Sequence, residues 1–147
     1  MVVGLTGGIG SGKTTIATLF DEFENVVIYN ADFEAKKIMN SSSTIKSKII
    51  QQFGEKSYLN NQLNSAYIAS LVFNDKSKLE LLTSLVHPEV RKNFQYFKKL
   101  HAQKEYILYE NAILFESKSN LNCDIIISVF TPLDIRIKRT MLRDQSS

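Results

Sequence analysis

Gly7-Gly8-Ile9-Gly10-Ser11-Gly12-Lys13-Thr14 follows the short apolar run Met1-Val2-Val3-Gly4-Leu5, and its reading decides how the rest of the chain is understood. It is a complete GxxxxGK(S/T) phosphate-binding loop. Backbone N–H groups hold a polyphosphate only when the backbone comes very close and several N–H vectors converge, which favours residues without a Cβ. Gly7, Gly8, Gly10 and Gly12 meet that need. A helix starting near Gly12 or Lys13 would aim its unpaired first-turn N–H groups and positive dipole end at the same anion. Lys13 is expected across the outer phosphates and the Thr14 hydroxyl on Mg²⁺.

Outward from the loop, Ile16, Leu19, Phe20 and Phe23 fall on one helical face, with Thr15, Thr18 and Asp21 mostly opposite. Strand, loop and amphipathic helix are the context that separates this motif from a Gly-rich turn with a chance Lys. Three further segments read as buried parallel strands: Val26 to Tyr29, Tyr106 to Glu110 and Ile125 to Phe130. Their apolar runs lack clean alternation, as expected where helices cover both faces of a sheet. The expected fold is therefore α/β, a three-layer α/β/α arrangement of the P-loop NTPase type with a parallel sheet and a helical insertion.

That insertion occupies the long gap between the second and third strands. Ile45, Ile49, Ile50 and Phe53 make a stripe ending at Gly54, and Tyr67 to Phe73 make another. A third helix is expected near Ser77, with Glu80 completing a capping box, and His87-Pro88 reads as a helix restart. Asn40 to Thr44 and Tyr58 to Asn64 read as loops.

The chain has 147 residues, of which 44% are hydrophobic, and this suits one α/β domain. No apolar stretch approaches the roughly 18 residues of a membrane span, and Met1-Val2-Val3 leads straight into the loop, so a cytoplasmic address without a signal peptide is expected. The lone Cys123 cannot form an internal disulfide and reads as a small core residue. A net charge of +3 fits an anionic small molecule as well as weak nucleic-acid contact, but the lysines are scattered and no nucleic-acid-binding signature is present.

Several side chains could do chemistry at the carboxyl edge of such a sheet, where open α/β folds place their ligands. Asp32, just after the second strand, suits a base toward an acceptor hydroxyl; it equally suits a helix N-cap opening Phe33 to Met39. Thr131-Pro132 opens a last helix on which Arg136, Arg139 and Arg143 share a face. Those arginines suit closure over a transferring phosphoryl group, or simply an exposed basic surface. No hydrophobic run ending in Asp is evident as a second metal-site motif. Glu116 suits substrate, Mg²⁺-bound water or a loop cap, and for His87 and His101 structural roles are the simpler reading.

Together these residues resemble the dephospho-CoA kinase family. The resemblance rests on Leu5 to Thr15, Asn30-Ala31-Asp32, Val72-Phe73, His87-Pro88, Ile113-Leu114-Phe115-Glu116 and Arg139-Thr140-Met141-Leu142-Arg143-Asp144. It implies ATP-dependent phosphorylation of the ribose 3′-hydroxyl of dephospho-coenzyme A, the last step of coenzyme A biosynthesis, with ATP and Mg²⁺. It implies catalytic roles for Asp32 as general base, Lys13 and Arg139. Gly8, Ile9, Gly10, Ser11, Gly12, Lys13, Thr14, Thr15 and Arg143 would bind nucleotide. Asp32, His87, Phe115 and Glu116 would meet the acceptor, and Thr14 the metal.

Residues 1–32 and 106–131 would form the nucleotide-binding core, 33–105 the acceptor-binding insertion, and 132–147 the start of a lid. The expected partners are ATP and dephospho-coenzyme A, with no nucleic acid or membrane, in a monomer or weak homo-oligomer. Asn30 stands where the family usually has Asp, and Asn64-Ser65 where it commonly has an Asp-Arg pair. The family also continues some fifty residues further, so the C-terminal lid and adenine pocket are expected to be incomplete. The readings that compete are another small-molecule kinase, such as a nucleoside monophosphate kinase, and a nucleotide-binding module without turnover.

Overall fold

Val2–Gly7 form β1 because the run is apolar and β-rich and ends in the glycines that release the chain into the loop. The computed structural model describes residues 1–146; Ser147, the last residue of the expected lid segment, lies outside them. The remaining elements are α1 (Lys13–Phe20), β2 (Val26–Asn30), α2 (Ala31–Ser41), α3 (Ser43–Phe53), β3 (Tyr58–Leu59), β4 (Gln62–Leu63), α4 (Ser65–Val72), α5 (Lys76–Leu100), β5 (Tyr106–Glu110), β6 (Ile125–Val129) and α6 (Leu133–Ser146), with two short 3₁₀ turns at Glu55–Ser57 and Ser119–Asn122. The chain divides into two compact units, one made of Met1–Asp32 and the residues from Phe97 onward, the other of Phe33–Tyr96.

The first unit is a four-stranded parallel sheet in the order β2-β5-β1-β6, flanked by helices. All four expected strands are present. The register sets Leu5 beside Glu110 and Asn30 beside the same Glu110, so the carboxyl ends of β1, β2 and β5 come level at one edge. Leu5, Ala17 and Leu108 are buried together, with Ile16, Phe20, Val26 and Ile28 packed around them. Tyr29 stacks on Tyr109 at 5.3 Å and meets Phe97 edge-on at 5.0 Å.

Two expectations change here. The face of α1 is centred on Ile16, Ala17 and Phe20, which leaves Leu19 exposed, and the helix stops before Phe23. Among the described residues β6 pairs only with β1 and forms one of the two sheet edges, and its Ile125 and Ile126 are exposed rather than buried. Cys123 is half-buried and its Sγ lies against Gly4.

The second unit holds more corrections. Serines 41 to 43 do not form a loop: only Ser42 breaks the chain between α2 and α3, and its hydroxyl accepts from the Ile45 N–H at 3.3 Å as an N-cap. Gly54, at φ 92°, ends α3 where the stripe predicts, and Ile45, Ile49 and Phe53 are its buried face. Tyr58 to Asn64 fold into a β3–β4 hairpin turned by Asn60 and Asn61, both at positive φ, a conformation asparagine tolerates well. Asn64 caps α4 by accepting from the Tyr67 N–H at 3.2 Å, which gives this departure from the family pattern a structural role.

Asp75, not Ser77, caps α5, its carboxylate accepting from the Lys78 N–H at 3.1 Å. His87-Pro88 is no restart: α5 runs unbroken through Pro88. The proline costs one backbone bond to Ser84, but buried Val86 and Val90 hold the helix on both sides of it.

The Tyr58 hydroxyl donates to the Met39 carbonyl at 2.8 Å and ties the hairpin to the end of α2. Burial raises its pKa from the usual 10 to about 12. The fold thus favours the neutral phenol, so this contribution is complete below pH 10 and is lost as pH climbs toward 12. Tyr58→Phe is expected to lower the unfolding free energy at neutral pH by about 1 kcal/mol. Urea denaturation of both proteins at rising pH should show the substituted chain losing less of its remaining stability over that alkaline range.

Candidate active site

At the carboxyl edge of β1 the chain cannot continue as a strand. Gly7 is crowded by Ser11 Oγ and the Val129 carbonyl, and Gly10 and Gly12 turn the backbone at φ 74° and 94°. Gly12 then serves as the left-handed N-cap of α1 without any side-chain bond, so the first-turn N–H groups of α1 have no intrahelical partner. Gly7 to Thr15, with Ala112 and Arg143, line a cavity of about 290 Å³. Every expected nucleotide-binding residue, Gly8 through Thr15 and Arg143, is therefore on one concave surface. A larger, mostly apolar hollow lined by Val3, Phe20, Leu108 and Ile127 includes none of the loop residues.

Lys13 does not reach into open space. Its Nζ lies 3.0 Å from Oε1 of Glu110, whose side chain is only 3% exposed. The same oxygen accepts from Thr14 Oγ1 at 3.4 Å, and Oε2 accepts from Asn30 Nδ2 at 3.2 Å. A buried carboxylate held by a cation, a hydroxyl and an amide thus sits under the phosphate loop. Sequence reasoning missed Glu110 because it sought a hydrophobic run ending in Asp; Tyr106-Ile107-Leu108-Tyr109-Glu110 is that run, ending in Glu.

Asp32 lies in the first turn of α2, one residue inside a helix that starts at Ala31, and is exposed; the cap position opening at Phe33 is excluded. Arg139 lies at the loop, its Nη1 donating to the Gly10 carbonyl at 3.2 Å. Arg143 bonds Asp144 at 3.0 Å while lining the cavity. Arg136 donates from Nε to the Ile9 carbonyl at 2.9 Å and so is more than an exposed basic surface.

Phe115 and Glu116 are exposed on the turn after β5, which a buried chain of Tyr109, Asn111, Ser117 and Ser119 hydroxyl and amide groups supports. His87 belongs to the second unit, midway along α5 and half-buried; burial, and then Arg91 one turn on, lower its pKa.

A parallel sheet with a phosphate loop at its carboxyl edge, a lysine and threonine at the helix start and arginines on the last helix defines a P-loop phosphotransferase. The sequence model of the dephospho-CoA kinase family matches residues 1–147. The dephospho-CoA kinase of Bacteroides fragilis is 31% identical over 145 residues, covering 99% of this chain and 70% of that protein. That of Salinibacter ruber is 34% identical, covering 99% and 74%. Among solved structures, the Thermus thermophilus protein TT1252 superposes with a TM-score of 0.78 at 28% identity, over 100% of this chain and 74% of that one. The dephospho-CoA kinase from Campylobacter jejuni shares the fold, with a TM-score of 0.59 at 17% identity over 99% of this chain and 96% of that one.

The chain belongs to the dephospho-CoA kinase family. The family's activity is ATP-dependent phosphorylation of dephospho-coenzyme A in coenzyme A biosynthesis, a transfer to an alcohol group, with ATP and dephospho-coenzyme A as the substrates.

The Lys13–Glu110 pair makes a testable statement about stability. Removing one partner of a buried ion pair leaves an uncompensated charge, typically a loss of about 3–5 kcal/mol. Lys13→Ala is expected to lose stability on that scale, and Lys13→Ala with Glu110→Gln to regain most of it, both read by chemical denaturation. Equal losses in the two would mean that Glu110 does not depend on Lys13.

Proposed function

We propose that this chain holds ATP in the cavity under Gly8 to Thr15 and delivers the γ-phosphoryl group to the ribose 3′-hydroxyl of dephospho-coenzyme A, with Asp32 taking the hydroxyl proton. The observation that carries this reading is the level edge where the phosphate loop, Glu110 and the end of β2 meet. Asp32 lies in the first turn of the helix that follows β2 and is exposed there, which leaves its carboxylate open to an acceptor.

In the reaction the 3′-oxygen forms a bond to the γ-phosphorus as the bond to the β,γ-bridging oxygen breaks. The hydroxyl proton goes to Asp32 and ADP leaves. Lys13 gives up Glu110 for the β- and γ-phosphates, while Arg139 and Arg143 neutralise charge as it moves. Phe115 and Glu116, with His87 and the helical residues 33–105, are assigned to the acceptor, and 132–147 to the start of the lid.

Mg²⁺ is part of this proposal. The Thr14 hydroxyl and the Glu110 carboxylate offer the hard oxygen donors it takes. No group of three or more His, Cys, Asp or Glu side chains gathers as a metal cage among the described residues, which suits an ion carried chiefly by phosphates and water. When bound, it would offset charge on the phosphate oxygens.

We also assign the reaction to the cytoplasm, by a monomer or weak homo-oligomer, without nucleic acid or membrane as a partner. Among the described residues no helix is long and apolar enough to cross a membrane.

The test mixes the chain with ATP, Mg²⁺ and dephospho-coenzyme A and follows 3′-phosphorylated product by mass. Asp32→Asn is expected to lower the turnover rate about 10²- to 10⁴-fold while ATP binding stays intact. Undiminished turnover in that variant would remove Asp32 from the mechanism. ATP binding without any product from the unsubstituted chain would favour the nucleotide-binding module. Lys13→Ala is a fair control only beside its Glu110→Gln double variant, because its loss includes the stranded carboxylate.

A further inference from the structure

Three consecutive carbonyl groups of the phosphate loop are held from one side by the chain around α6. The Ile9 carbonyl accepts from Arg136 Nε at 2.9 Å, the Gly10 carbonyl from Arg139 Nη1 at 3.2 Å, and the Ser11 carbonyl from Thr131 Oγ1 at 2.7 Å. No peptide among the described residues is cis, and in a planar trans peptide the N–H points opposite to its carbonyl. Pinning these oxygens toward α6 therefore turns the N–H groups of Gly10, Ser11 and Gly12 away from it. The Ser11 N–H is used within the loop, bonded to the Gly8 carbonyl at 3.0 Å. Those of Gly10 and Gly12 are oriented by the pinned carbonyls.

At Gly10 the packing between loop and helix is close enough to require glycine on its own account. A Cβ at Gly10 would stand 2.6 Å from the Arg136 carbonyl, and one at Gly8 would collide with the Arg136 guanidinium. Arg136 forms no ion pair among the described residues, and it does not line the cavity, whereas Arg143 does both. Its charge is thus directed at the loop and not at a neighbouring carboxylate.

We propose that Arg136 is a positioning residue of the phosphate site, acting through the Ile9 carbonyl to hold the Ile9–Gly10 peptide in the orientation that a polyphosphate needs. This rests on the reading of Gly8 to Thr15 as the polyphosphate site. It adds a residue that touches the loop and not the ligand. The partner chemistry is the polyphosphate alone, without base or sugar, because the orientation of a loop peptide matters equally to any ligand that it holds.

The experiment measures binding of inorganic tripolyphosphate and of ATP by calorimetry to the unsubstituted chain and to Arg136→Ala, Arg136→Lys and Lys138→Ala. Arg136→Ala is expected to weaken both ligands alike, by about tenfold, the loss of one charge-assisted hydrogen bond. Arg136→Lys should recover part of this, since an ammonium can still donate to Ile9. Lys138→Ala removes the same charge from an exposed site on α6 and should stay within about twofold of the unsubstituted chain. Melting temperatures should differ little, which a purely structural role for Arg136 would not allow.

Amide hydrogen exchange of the ligand-free proteins is the second arm, and Gly10 should exchange faster in Arg136→Ala. Tripolyphosphate affinity and Gly10 exchange both unchanged in Arg136→Ala would overturn the proposal. An unsubstituted chain that binds neither ligand would overturn the phosphate-site reading and this proposal with it. A chain that binds both but transfers no phosphoryl group would remove only the catalytic reading.

Discussion

The contact between Lys13 and Glu110 is the interaction on which the site depends. A carboxylate with 3% of its side chain exposed has lost nearly all its water, and only a cation and further donors can offset that loss. Lys13, Thr14 and Asn30 together supply them. Lys13 is therefore already paired within the protein. On the proposed reading, a polyphosphate would compete with Glu110 for that lysine, and a cation arriving with the phosphates would offset the charge left on Glu110. The pairing follows from the strand register that sets Glu110 beside Leu5 and Asn30.

The loop lies between two kinds of support. From below, β1 and α1 fix its ends, and the buried Leu5, Ala17 and Leu108 lock those elements to the sheet. From the side, Thr131, Arg136 and Arg139 take up its outward carbonyls. A glycine-rich segment pays a large entropy on ordering, because each glycine has so many conformations to lose. Bonds from both supports offset that entropy before any ligand arrives. The glycines that the proposed polyphosphate site needs also admit α6, as Gly8 and Gly10 do against Arg136, so one motif would answer two steric demands.

Much of this was legible in the sequence, for reasons that differ by element. The phosphate loop could be read because its chemistry leaves few choices of residue, and the four parallel strands because apolar runs bounded by polar turns stand out. The C-terminal end of α3 was legible from its stripe and from Gly54, whereas its start was hidden in a serine run that reads as a loop. The β3–β4 hairpin was not, since two-residue strands carry no period. The passage of α5 through Pro88 was hidden because tertiary burial of Val86 and Val90 overrides a local penalty. In the site, Glu110 was obscured by one methylene, Glu in place of Asp. The bond from Arg136 to Ile9 joins residues 127 apart, and no pattern in the chain near either residue announces it.

Asn30 shows how a departure from the family pattern can be consistent with the rest of the site. The resemblance leads one to expect Asp there. In this chain Asn30 pairs in register with Glu110, and its amide donates to the second oxygen of that carboxylate at 3.2 Å. An aspartate in the same place would set two carboxylates within hydrogen-bond distance, and like charges so close cannot both remain ionised without another cation. Among the described residues Lys13 is the cation within ion-pair distance of Glu110, and it is also the one that the proposed reading assigns to the phosphates. The amide keeps the contact and omits the charge. One carboxylate opposes an incoming polyphosphate less than two would, and the oxygen of Glu110 that faces Lys13 and Thr14 stays fixed by a donor that does not compete for either.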